Sequence, residues 1–95
     1  MDLLENANKG DPKAQYHLGL MALASKKKKD INRALNWFNL AAIQAFPSAQ
    51  YSMGVLYDKG IGVTENKSTA LLWYYAAAQN NYAKAQYNLG VFFLK

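Results

Sequence analysis

Apolar residues along this chain return at i, i+4 and i+7 in three stretches: Ala14, Leu18 and Met21; Ala49, Met53 and Leu56; Ala85, Leu89 and Phe92. At 3.6 residues per turn that spacing lines one face of a helix. Two intervening stretches carry a similar stripe, through Ala34, Trp37, Phe38 and Ala41 and through Ala70, Trp73, Tyr74 and Ala77. The pattern predicts helices of two alternating kinds, each with an apolar side that a neighbour must cover.

The stretches are copies of one another. AQYHLGLMA begins at Ala14, AQYSMGVLY at Ala49 and AQYNLGVFF at Ala85, 35 and then 36 residues apart. ALNWFNLAA from Ala34 and ALLWYYAAA from Ala70 keep the same register, 36 apart. A period of that size, two helices long, marks a stack of helical hairpins. Boundary signals fit: Asp11-Pro12 supplies an N-cap and a first-turn proline, Pro47 takes the matching place, and Asp30 and Asn66 are placed to cap the second helices. Gly19, Gly54 and Gly90 fall in mid-helix, where they lower helix propensity, so a neighbour is expected to approach closely there. Trp37 and Trp73 are expected in the core.

These residues resemble the Sel-one-like repeat, a relative of the tetratricopeptide repeat, with pattern A-x-x-x-L-G-x-x-Y, then G-x-G-V, then D-x-x-K-A-x-x-W-x-x-x-A-A. The second copy matches at Ala49, Met53, Gly54, Tyr57, Gly60, Gly62, Val63, Ala70, Trp73, Ala77 and Ala78, with Asn66 and Thr69 in place of the usual Asp and Lys. The first keeps Ala14, Leu18, Gly19, Asp30, Arg33, Ala34, Trp37, Ala41 and Ala42, but SKKKK replaces its glycine loop and Ala22 its tyrosine. The resemblance implies an all-α fold, a right-handed α-solenoid of antiparallel helical hairpins with about two full repeats and flanking half repeats. On this division residues 2–9 end a partial helix, 11–45 and 46–80 are the full repeats, and 81–95 form the first helix of a third.

For function the resemblance implies a scaffold or adaptor that binds a peptide or protein on a concave face built from the first helices. A regulatory or targeting segment of a larger enzyme or secreted bacterial effector is the alternative. In the register of such hairpins that face would carry Lys13, Tyr16, Leu20 and Leu23, then Ser48, Tyr51, Val55 and Lys59, then Lys84, Tyr87, Val91 and Lys95. Tyr16, Tyr51 and Tyr87 would form a ladder of flat rings with polar tips, suited to a peptide. Tyrosines one repeat apart could equally pack between neighbouring helices, and both readings stand at this point.

Charge alters the picture little. The net charge of +5 rests largely on the run Lys26 to Lys29, a solvated turn and not a basic groove, so no nucleic-acid partner is expected. No apolar run approaches the roughly 18 residues that span a bilayer, and acids occupy the start where a signal peptide carries bases. No membrane association and a cytoplasmic location are expected, with secreted or periplasmic forms left open. Absence of cysteine removes thiol nucleophiles, disulfides and thiolate metal sites. The single histidine, His17, shares its place with Ser52 and Asn88 and reads as a surface residue, and the six acids lie mainly near helix ends. Gly60-Ile61-Gly62 follows a helix and lacks the Gly-Lys-Ser/Thr ending of a phosphate loop, so it reads as a turn. No catalytic residue, cofactor or metal site is expected, and the chain is expected not to be an enzyme.

Leu89, Phe92, Phe93 and Leu94 have no following helix within these 95 residues, so exposed apolar surface is expected. Two explanations stand: a longer array, or burial against another copy or a partner through this last helix.

Overall fold

In the computed structural model, residues 2–94 are described, and the repeating stripe folds as six helices: α1 (Leu3–Asn8), α2 (Pro12–Ala24), α3 (Lys28–Ala42), α4 (Pro47–Lys59), α5 (Lys67–Gln79) and α6 (Ala83–Leu94). Each helix packs on the next in chain order, so α2 with α3 and α4 with α5 form the two hairpins of the stack. The body is elongated, 44 × 28 × 16 Å in extent. An α-solenoid is therefore the observed architecture, with no strand among the described residues.

Side-chain caps set the starts of α1, α2 and α5. The Asp11 carboxylate accepts from the Lys13 amide with Pro12 in the first turn, and the Asn66 side chain accepts from the Thr69 amide at 3.0 Å. Asp30 departs from the expected role. Helix α3 starts earlier, at Lys28, with Lys27 at the cap position and no side-chain cap bond. Asp30 sits in the first turn instead, accepting from the Ser25 hydroxyl at 2.6 Å and pairing with Arg33, and these hold its carboxyl below the usual range. The lysine run is thus only partly a turn. Lys26 takes a left-handed conformation (φ 62°), while Lys28 and Lys29 begin the helix, all of them exposed.

The core runs through the hairpin junctions: Ala34, Phe38, Ala41, Ala42, Ala49, Met53 and Leu56 form one buried cluster. Burial of the large rings falls one residue beyond the expected positions. Phe38 and Tyr74 are 0% and 1% exposed, whereas Trp37 and Trp73 are only half-buried. The physical reason is the glycine seat. Successive helix residues point about 100° apart, and it is Phe38 and Tyr74 that face the bare backbone of Gly19 and Gly54. A Cβ at either glycine would lie 2.5 Å from a ring carbon. Trp37 lines a shallow surface concavity with Arg33, Asn36 and Leu40.

Two further devices repeat with the period. Gly10, Ala45 and Asn81 each take a left-handed conformation at the corner before the next hairpin. Gln15, Gln50 and Gln86 each donate to a carbonyl eight residues back, on Ala7, Ala42 and Ala78, at 3.1–3.2 Å. The side-chain oxygens of Gln15 and Gln50 then accept from the Gln44 and Asn80 amides at the end of the following helix, at 2.9 and 3.2 Å. Each buried glutamine therefore ties the helix before it to the helix after it, which satisfies polar groups that the alanine-rich packing would otherwise strand.

Candidate partner-binding face

The first helix of each repeat positions the tyrosines. Tyr16 lies against Phe38 and Phe46, with ring centroids 5.8 and 5.6 Å apart, and the Ser52 side chain of the next repeat lies near its phenol. Tyr51 repeats this geometry against Tyr74 and Tyr82 at 5.5 and 5.2 Å, and its hydroxyl accepts from the Asn88 amide at 3.2 Å. Both rings are half-buried between hairpins, and the Tyr51 hydroxyl reaches forward by one repeat. Burial, above all, raises the Tyr16 pKa. Tyr87, the third of the series, is 71% exposed.

The remaining predicted positions divide by exposure. Lys13, Leu20, Lys59 and Lys84 are exposed, whereas Leu23, Ser48, Val55 and Val91 are half-buried; Lys95 lies outside the described residues. Of these, the structure brings Tyr87 and Val91 together in a concavity of about 510 Å³, completed by Asp58, Lys67, Asn88 and Phe92. It sits where the end of α4 and the start of α5 meet α6. Tyr16, Tyr51, Val55 and the predicted lysines do not line it.

The lining of the concavity combines polar and apolar side chains. Asp58 pairs with Lys67 and receives the Tyr74 hydroxyl at 3.3 Å. Lys67 also reaches Glu65 at 3.6 Å, and the Asp58 hydrogen bond, first of all, raises its pKa. Burial, and then the Asp58 charge, push the Tyr74 phenol up to about 12. Phe92 covers Tyr74 at 6.0 Å. Tyr87, Val91 and Phe92 present apolar surface while Asn88 and the ion pair present hydrogen-bonding groups. Asp58, Lys67, Asn88 and Phe92 were not expected from sequence. The signal available was that Asp58 and Lys67 straddle the glycine turn and that Asn88 follows a ladder tyrosine.

His17 is exposed beside the Tyr16 ring, and among the described residues no three His, Cys, Asp or Glu side chains gather as metal ligands. No helix of the described residues is long and apolar enough to cross a membrane. The turn reading of the glycine segment holds: Gly60 ends α4 in a left-handed conformation, and at Gly62 a Cβ would come within 2.6 Å of Ile31, a side chain of the preceding hairpin.

Stacked hairpins keyed by glycine, glutamine and tyrosine define a helical-repeat scaffold. The chain belongs to the Sel1 repeat family, whose model matches residues 12–46, 47–82 and 83–95. It is similar to the crystal structure of a protective antigen present in uropathogenic Escherichia coli strains that displays an SLR fold (37% identity, TM-score 0.89). That match covers 96% of this chain and 20% of the antigen. It is also similar to a Sel1 repeat protein from Oxalobacter formigenes (35% identity, TM-score 0.90), over 98% of this chain and 27% of that one. The chain thus spans about a fifth to a quarter of the length of these relatives. The comparison with curated proteins gives no match. Sel1 repeats generally mediate protein–protein interaction and are typically non-enzymatic scaffolds.

Proposed function

We propose that this chain is a non-catalytic adaptor that holds a peptide or protein on the face formed by its first helices, α2, α4 and α6. The observation that carries the reading is the concavity in which exposed Tyr87 and half-buried Val91 meet Asn88 and the Asp58–Lys67 pair. It supplies an apolar anchor site beside fixed hydrogen-bonding groups, the combination that peptide recognition uses. Lys13, Tyr16 and Leu20 on α2, Tyr51 and Lys59 on α4 and Lys84 on α6 would extend the face along the first helices. The lysine run at residues 26–29 lies in the first hairpin, remote in sequence from the concavity, and takes no part in this reading.

Selection of binders from a displayed peptide library tests it, followed by titration against Tyr87→Ala, chosen because the side chain is exposed and its removal leaves the core intact. Affinity lowered at least about tenfold is expected for an anchor residue. Binders unaffected by both Tyr87→Ala and Val91→Asp would place recognition elsewhere.

A second reading, a targeting or regulatory segment of a larger enzyme or effector, is favoured by the greater length of the relatives. A flanking domain with its own nucleophile and base would support it.

A further inference from the structure

The turns inside the two hairpins, residues 25–27 and 60–66, lie on one edge of the stack, because a short turn between packed helices sends them in opposite directions. The corners between hairpins lie on the other edge. Charge is divided unequally between the two. The hairpin-turn edge carries Lys26 to Lys29 and Arg33 from the first hairpin and Lys59 and Lys67 from the second, against Asp30, Asp58 and Glu65. On the corner edge Lys9, Lys13 and Lys84 are matched by Asp2, Glu5 and Asp11. Four of the chain's net charge of +5 therefore stand at the hairpin turns.

All three carboxylates of that edge are engaged. Asp58 and Glu65 both pair with Lys67, and Asp30 pairs with Arg33 and accepts from the Ser25 hydroxyl. Among the described residues this leaves Lys26 to Lys29 and Lys59 exposed and without an ion pair, although Lys27 and Lys29 lie near enough to Asp30 to lower its pKa. The run sits where stability alone disfavours it. Like charges stand on consecutive residues, and Lys28 and Lys29 occupy the first turn of α3, the positive end of a helix dipole that favours anions. A local rule broken with no compensating contact inside the chain marks a place where function sets the sequence.

We propose that Lys26 to Lys29 form a docking site for an acidic segment of a partner protein, a run of Asp or Glu side chains that supplies the carboxylates the first hairpin lacks. The second hairpin shows which anion suits this edge. There Lys67 is neutralised by Asp58 and Glu65, whereas the first hairpin has Leu23 and Lys29 at the equivalent positions, 35 and 36 residues earlier. No aromatic or large apolar side chain lies between residues 25 and 29, so the run offers neither a platform for nucleic-acid bases nor a wedge for a bilayer. The site is separate from the Tyr87 concavity, and either reading can fail alone.

Fluorescence anisotropy of a labelled oligoglutamate, titrated with the 95-residue chain, tests the proposal. The peptide should bind at low salt, and affinity should fall as the screening length shortens from about 10 Å at about 0.1 M to about 3 Å at about 1 M. Lys26→Asn with Lys28→Gln removes two exposed charges, asparagine suiting the left-handed backbone at residue 26. It should weaken binding about fivefold with an unchanged circular dichroism spectrum. Should that spectrum change, Lys27→Gln with Lys29→Gln takes its place with the same expectation. Lys9→Gln with Ala83→Glu makes an equal change in net charge on the corner edge and should leave affinity within about twofold. A single-stranded oligonucleotide of equal charge and vesicles containing phosphatidylserine should bind more weakly than oligoglutamate. No binding of oligoglutamate at low salt, tighter binding of the oligonucleotide or the vesicles, or equal losses in the variants of the two edges overturns the proposal.

Discussion

The ring of Phe38 rests on the backbone of Gly19 so closely that an added Cβ would sit 2.5 Å from its Cε1 atom. Tyr74 rests on Gly54 at the same distance, whereas the corresponding space beside Gly90 is open. One substitution at three equivalent positions should therefore give two signs. Gly19→Ala and Gly54→Ala should destabilise by about 1–3 kcal/mol, the overpacking of a filled site exceeding the gain in helix propensity. Gly90→Ala should stabilise by about 0.5–1 kcal/mol. Thermal melts check this, since about 1 kcal/mol moves the midpoint about 4–8 °C in a domain of this size.

Gln50→Ala should cost about 1–3 kcal/mol in urea unfolding, because it leaves the Ala42 carbonyl and the Asn80 amide without their shared partner. Gln86→Ala, at an exposed position, should stay within about 0.5 kcal/mol of wild type. Equal effects at both sites would show that the glutamine bridge is unimportant.

Ala45 adopts φ 63° where its equivalents are Gly10 and Asn81, residue types that tolerate the left-handed region. Ala45→Gly should raise stability by up to about 1 kcal/mol in the same melts, and a loss would contradict the strain at this corner.

The phenol of Tyr74 is pushed from 10.0 to about 12 by burial and by Asp58. A raised folded-state pKa means that the native state holds the proton more tightly than the unfolded chain. Its contribution is complete below pH about 10 and is lost as pH climbs toward about 12. Alkaline unfolding followed by circular dichroism should thus begin above pH about 10 and be shallower in Tyr74→Phe.

Most of the architecture was legible because a 35- to 36-residue period and a helical stripe leave few ways to hide apolar surface. Which ring fills the glycine seat was not. Trp37 and Phe38 are neighbours on one helix, and both fit the stripe until the facing helix is known. Asp30 misled for a similar reason: a cap residue in a first turn is also a good acceptor for Ser25, and the lysines before it extended the helix. The concavity joins Asp58, Lys67 and Asn88 from three helices or their ends, a proximity that spacing along one chain does not reveal. Of the tyrosines, Tyr16 and Tyr51 pack between hairpins as the packing reading had it, while Tyr87 is largely exposed.

The glutamine bridges recur unchanged across hairpins whose own connections differ in length. The turn in the first hairpin spans Ser25–Lys27 and that in the second spans residues 60–66, yet both hairpins bond their neighbours through the same side-chain amide. Hairpins of this kind behave as interchangeable bricks. A unit that brings a glutamine at its start and an alanine carbonyl at its end offers its neighbours the same bond whatever the length of its own turn.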